Sequence, residues 1–194
     1  MELETARLRL RLWRDEDLPT LARWNADAVV MRHMGRGPMT LEESAAALDR
    51  YRQHWDEHGF GIWAAELRAT GALAGRIGLA YHRAWPDDPE LGWLIDPGHV
   101  GLGLATEGGA AGVEYGFGVL GAQRLVSICT EENAESRRVM AKLGFKLHRQ
   151  VPFEQLGITL WVHALEAELE QDDVAPRAVE LPDSLPDADL AEAQ

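Results

Sequence analysis

The sequence predicts an α/β (α+β) fold: a mixed, mostly antiparallel sheet of seven strands, with helices on both faces and one parallel crossover at its centre. Three observations carry this expectation. Arg7, Arg9 and Arg11 alternate with Leu8, Leu10 and Leu12, the period of two expected of a strand with one buried face. Apolar runs at 62–67, 73–82 and 90–95 are separated by a turn and a short loop, so they should pair antiparallel. A helical stretch then lies between the run at 90–95 and the next one at 124–130, and a strand–helix–strand passage of that kind sets its two strands parallel.

Taken in order, the alternating strand spans 5–12, and its three arginines read as a solvated face. Asp15 is placed to cap a helix starting near Asp17, with Pro19 in its first turn and Leu18, Leu21, Ala22 and Asn25 along one face. Gly35-Arg36-Gly37-Pro38 ends it. Thr40 and Glu43 form a capping-box pattern for a second helix running to about His58. The connection 29–39, rich in Met, Gly and His, suits either a substrate-facing loop or a plain link. Ala69-Thr70-Gly71 marks a hairpin, and 81–89 reads as a loop. The helix 105–119 contains Gly108, Gly109 and Gly112, each costing about 1 kcal/mol relative to Ala, so close packing on the sheet is the expected compensation. Asn133 caps a further helix that stops at Gly144, and strands at 145–151 and 158–165 close the sheet.

The 194 residues suit one domain, 1–170, followed by an acidic, aromatic-free and solvated tail, 171–194. The net charge of −13 argues against non-specific nucleic-acid binding, although much of it sits after Glu166. A single cysteine, Cys129, rules out an internal disulfide and a CxxC metal site, and on a central strand it reads as a packing residue. His33, His54 and His58 lack metal-ligand spacing, so no metal site is expected. No apolar run is long enough to span a bilayer and the start has no signal-peptide core, so the expected location is cytoplasmic.

The stretch from Leu91 to Glu107 concentrates the chemistry. An apolar strand is broken at Asp96-Pro97-Gly98, and Gly101-x-Gly103-x-Ala105 leads into a helix. Glycines let backbone amides turn inward, and a helix start adds unpaired N–H groups and a positive dipole end, so the expected ligand is a phosphate. Such a loop also serves as an ordinary strand-to-helix turn. Asn133 and Ser136, three residues apart, share one helix face.

Gly101-Leu102-Gly103-Leu104-Ala105-Thr106-Glu107 is similar to the G-x-G-x-A-T-E signature of the GNAT superfamily of N-acetyltransferases, in its ribosomal-protein N-acetyltransferase (RimJ/RimL-like) branch. Thr5 to Arg11 followed by Asp15-Glu16-Asp17 resembles that branch's opening, and Asn133-Ala134-Glu135-Ser136 through Leu143-Gly144-Phe145 resembles its N-x-x-S…LGF segment. The resemblance spans about 3–166. Three departures stand out: Val100 where the loop often begins with Gln or Arg, no tryptophan before the first glycine, and Leu160-Trp161-Val162-His163 in place of the usual strand-end pattern.

The resemblance implies acetyl-CoA as co-substrate and a primary amine, on a protein N-terminus or a small molecule, as acceptor. Its pyrophosphate would lie on the amides of Val100, Gly101, Leu102, Gly103, Leu104, Ala105 and Thr106. Its pantetheine arm would pair along Trp93, Leu94 and Ile95, with the N–H of Leu94 or Ile95 facing the thioester oxygen. Asn133 would bind the pantetheine amides, and Ser136 would donate to the departing sulfur. Arg138, with Lys142, either meets the 3′-phosphate or forms a solvated basic face. Glu90 is the first choice of general base, with Tyr81, His82 and Glu154 behind it. Homodimerisation also follows from the branch resemblance. Two other readings compete: a non-catalytic acyl-CoA-binding module, and a dinucleotide-dependent oxidoreductase suggested by Gly101-x-Gly103-x-x-Thr106. The latter lacks the third glycine and has antiparallel strands upstream.

Overall fold

The computed structural model describes residues 1–34, 37–82, 85–153 and 157–167. The acidic stretch 171–194 and Glu154 lie outside these residues, and the side chain of His82 is likewise not described. One sheet runs through the molecule: β1 (Leu3–Glu4), β2 (Leu8–Arg11), β3 (Ile62–Leu67), β4 (Leu73–His82), β5 (Trp85–Ile95), β6 (Arg124–Thr130), β8 (Ile158–Glu166) and β7 (Lys146–Phe153), in that spatial order. Every neighbouring pair is antiparallel except β5 and β6.

The eight strands exceed the predicted seven by one, because Leu3 and Glu4 fold back onto Leu10 and Arg9. Trp63 Nε1 donates to the Met1 carbonyl at 3.2 Å and holds that return in place. A second difference lies at 81–89, predicted as a loop. There β4 and β5 continue as a hairpin, with His82 opposite Trp85 and a register shift near Ala80. Pro89 lies where β5 adjoins β6, and its missing N–H ends the parallel pairing there.

Helices cover both faces. Leu18–Ala26 (α1), Ala28–Met31 (α2) and Leu41–His58 (α3) lie on one face, over a core that includes Trp13, Trp24, Leu48 and Leu94. Leu104–Gly118 (α4) and Ala134–Lys142 (α5) lie on the other, over Leu8, Ile77, Leu91 and Leu125. A short helix, α2, overlaps the start of the connection expected at 29–39. Asp27 adopts an extended conformation, and its carboxylate accepts from the amides of Val29 and Val30, which starts a new helix. Asp15 is not a cap: it belongs to a 3-10 turn, Asp15–Asp17, whose Asp17 carboxylate takes the Arg14 amide. The capping box of α3 forms as predicted, with Glu43 N donating to Thr40 Oγ1 at 3.2 Å and Thr40 N donating to Glu43 Oε2 at 2.7 Å.

The glycines of α4 mark where it presses on the sheet. A Cβ on Gly108 would come within 2.3 Å of Ile77 Cδ1, and one on Gly112 within 2.7 Å of Leu91 Cδ1. The lost helix propensity is the cost of a helix axis this close to β4 and β5.

The solvated-face reading of the first strand fails at Arg11, which is 3% exposed. Its guanidinium donates to both oxygens of Asp17 at 2.7 and 2.8 Å and to Glu66 at 2.7 Å. The hydrogen bonds to Asp17 and Glu66 raise the Arg11 pKa against its burial. Burial pushes the Asp17 carboxyl up, but donation from Arg11 and the Arg14 amide outweighs it and holds the group below its ordinary range. Among the described residues no helix is long and apolar enough to cross a membrane, and no three His, Cys, Asp or Glu side chains are grouped to hold a metal ion.

Candidate active site

The site is organised by a fork in the sheet. β5 and β6 share one parallel partner pair, Glu90 with Val126, and beyond it Ser127 Oγ donates to the Leu91 carbonyl at 2.8 Å. Pro89 has no N–H with which to extend the pairing backwards. A cleft open to solvent lies at this fork, with Gly92 and Trp93 on one wall and Ser127 and Ile128 on the other.

Strand alternation decides which main-chain groups of β5 are free. The Asp96 amide donates to the Ala74 carbonyl of β4, whereas the Leu91 carbonyl accepts from β6. The register between is unbroken, so even-numbered residues turn their backbone polar groups to β4 and odd-numbered ones to the fork. Trp93 and Ile95 therefore present N–H and C=O groups at the open edge. Leu94 does not: its amide faces β4 opposite Arg76, and its side chain is buried under the first helices. The expectation that the Leu94 amide could face a bound thioester is corrected by this alternation.

Glu90, Asn133 and Ser136 line the same cleft. Glu90 is 9% exposed and lies on the face of the sheet that carries α3. Asn133 Oδ1 accepts from the Ser136 amide at 3.1 Å, so this oxygen caps α5 while the side-chain amide remains available as a donor. The Ser136 hydroxyl has no hydrogen-bond partner among the described residues, and neither does Arg138, which is exposed on the same helix.

At the far end of β5 the chain turns around Asp96. Its carboxylate accepts from Trp24 Nε1 at 2.5 Å, Arg23 at 2.7 Å and the Gly98 amide at 2.8 Å. Burial opposes ionisation, but these donors, led by Trp24, hold the pKa down at about 2. Gly101 and Gly103 follow with φ of 83° and 82°, the left-handed region where a side chain is strained. No acceptor among the described residues takes the amides of 101–106, and the first helical bond of α4 is from Glu107 to Gly103. Val100 and Leu102 are more than half exposed, while Leu104 is buried and anchors the helix start.

Sequence reasoning missed what holds this loop. Arg7 donates to the Leu102 carbonyl at 2.8 Å and to Glu107 at 2.6 Å, and Glu107 also accepts from Thr5 Oγ1 and the Arg7 amide. It also missed Arg76, which lines the cleft from β4; His33, in the connection 29–39 offered as a substrate-facing loop, enters the cleft just after α2. Arg76 was legible as the one charged residue within Leu73-Ala74-Gly75-Arg76-Ile77-Gly78-Leu79-Ala80. Burial, then the neighbouring Arg32, lowers the His33 pKa, and its Nε2 accepts from Arg32 Nε at 3.0 Å. The other base candidates divide. Tyr81 lines the cleft, whereas Glu154 and the His82 side chain fall outside the description. Cys129 is buried and its thiol is pushed up to about 11, as suits a packing residue.

A fork beside a parallel strand pair, with an uncapped glycine loop entering the crossover helix, defines a mixed α/β protein with an anion-binding type of loop at its cleft. Residues 7–146 match the profile of the acetyltransferase (GNAT) domain. The chain is 30% identical over 145 residues to the uncharacterized N-acetyltransferase YoaA of Bacillus subtilis, covering 74% of this chain and 82% of that protein. It is 28% identical over 147 residues to the spermidine N(1)-acetyltransferase of Escherichia coli, covering 76% and 77%. An acetyltransferase of known structure from Agrobacterium tumefaciens superposes with a TM-score of 0.73 at 28% identity, over 84% of this chain and 93% of the other. The chain belongs to the GNAT acetyltransferases, enzymes that move an acetyl group from acetyl-CoA to an amine. This membership sets aside the dinucleotide-dependent oxidoreductase.

Proposed function

We propose that the protein acetylates the primary amine of a small molecule or a peptide N-terminus by direct attack within a ternary complex, with Glu90 as general base and Ser136 as general acid. The observation that carries this is the convergence of Glu90, Asn133 and Ser136 on one fork-shaped cleft. The amides of 101–106 would receive the pyrophosphate, since they have no acceptor among the described residues and sit at the positive end of α4. The open edge at Trp93 and Ile95 supports an extended pantetheine arm, and an N–H on that edge would polarise the thioester carbonyl.

In this reading the acceptor arrives as an ammonium, and the Glu90 carboxylate takes a proton, directly or through water. The neutral nitrogen attacks the thioester carbon, forming the C–N bond. Collapse of the tetrahedral adduct breaks the C–S bond. The thiolate takes the Ser136 hydroxyl proton, which the second nitrogen proton replaces as the amide forms.

The test is calorimetric binding of acetyl-CoA together with an amine-acceptor screen. Micromolar binding by wild type, abolished in Gly103→Trp, is the expected first result. Glu90→Gln and Ser136→Ala should then each lower kcat by about 100-fold or more while leaving acetyl-CoA affinity nearly unchanged. Tight binding with no turnover on any amine would instead favour a non-catalytic acyl-CoA-binding module.

A further inference from the structure

Arg76 is set apart from Arg11 and the part-buried Arg124 by what surrounds it. It is 6% exposed, projects from β4 and lines the cleft. One guanidinium nitrogen donates to the Tyr51 hydroxyl, another lies 3.7 Å from Met34 Sδ, and the group sits 5.5 Å from the centre of the Tyr51 ring. None of these partners is an anion, and among the described residues no carboxylate pairs with it. Arg11 faces two carboxylates, and Arg124 faces Asp88 at 2.6 Å. Desolvation alone pulls the Arg76 guanidinium down to about 10. A charge held out of water with no opposite charge is costly, and an anionic ligand group would relieve that cost.

The position of Arg76 tells which ligand group that is. Ala80 lies opposite Glu90 and Arg76 opposite Leu94, so Arg76 and Glu90 occupy the same face of the hairpin. Four residues of strand separate them, about 14 Å between backbones, and two long side chains reaching inward leave room for a ligand a few carbons long. A planar guanidinium matches a carboxylate in a two-pronged geometry.

Resting on the acetyl-transfer reading, we propose that the acceptor is an amino carboxylate, its amine at Glu90 and its carboxylate bound by Arg76. A polyamine would place a second cation against the guanidinium and is disfavoured by the same charge.

The experiment uses CoA-saturated protein titrated by calorimetry with the protein amino acids, β-alanine, 4-aminobutyrate and 6-aminohexanoate, their carboxamides, and spermidine, in parallel with turnover on acetyl-CoA. At least one carboxylate should bind tenfold or more tighter than its amide. In Arg76→Met that ratio should fall to near one with CoA affinity unchanged, and Arg76→Lys should restore part of it. If Arg76→Met does not fold, the wild-type ratio and Arg76→Lys decide. The inference is overturned if no carboxylate binds, if amides or spermidine bind as tightly, or if the preference survives removal of the guanidinium. Carboxylate binding with the Arg76 dependence but no acetylation of any amine would remove the transfer reading and leave the carboxylate site standing.

Discussion

Arg11 and Arg76 are both buried on strands of the same sheet, at 3% and 6% exposure, yet their surroundings are opposite. Arg11 on β2 is closed off by Asp17 and Glu66, and its partners raise its pKa. Arg76 on β4 has a tyrosine hydroxyl and a thioether, and its pKa falls to about 10. A charge whose hydrogen bonds are supplied by the chain itself belongs to the architecture. One with no counter-charge among the described residues is set up for something that enters the cleft.

The largest expected effect breaks the closed network. Asp17→Ala should lose about 3–5 kcal/mol of stability in chemical denaturation, because it strands part of a buried cation. Arg76→Met, of similar length and with no charge to desolvate, should cost less than about 1 kcal/mol or stabilise slightly. Equal losses for the two would erase the distinction and make Arg76 a structural residue.

Asp96 sharpens the comparison from the acidic side. Its pKa of about 2 lies below the ordinary 3.8, so it contributes stability that is fully present above pH 3.8 and lost as the pH falls towards 2. The contribution is about 2 kcal/mol. Asp96→Asn should therefore lower stability at neutral pH by roughly that amount and flatten the acid limb of the unfolding curve, which pH-dependent urea melts would read. Asp17 has the same sign and adds to the same limb in wild type.

The smallest effect concerns Arg7, whose side chain is half exposed while it ties the glycine loop to Glu107. Arg7→Ala should change stability by less than about 1 kcal/mol, yet weaken acetyl-CoA binding by about threefold through a looser loop. A large stability loss with unchanged affinity would show that Arg7 supports the fold rather than the loop.

Much of this was legible in the chain. The capping box at Thr40 and the Gly101-x-Gly103 loop are local signals found where the pattern placed them, whereas the alternating leucines hold only for Leu8 and Leu10, since Leu12 lies outside β2 and is exposed. The glycines of α4 were readable as close packing, though not which strand residues they approach. Asn133 and Ser136 could be paired by spacing, while Glu90 was chosen as the head of a strand that in fact begins at Trp85; that all three share one cleft depended on the register of three separate elements.

The sequence by itself determined the order of the main helices and strands, the crossover and the glycine loop, because these rest on periodicity and backbone chemistry within short windows. Only the tertiary structure decided which arginines are closed and which is open, that Leu94 turns its amide inward, and that Arg7 grips a loop about a hundred residues away. The physical reason is common to all three. Alternation specifies a strand's two faces and edges, but what each face and edge meets is set by register and by neighbours distant in the chain.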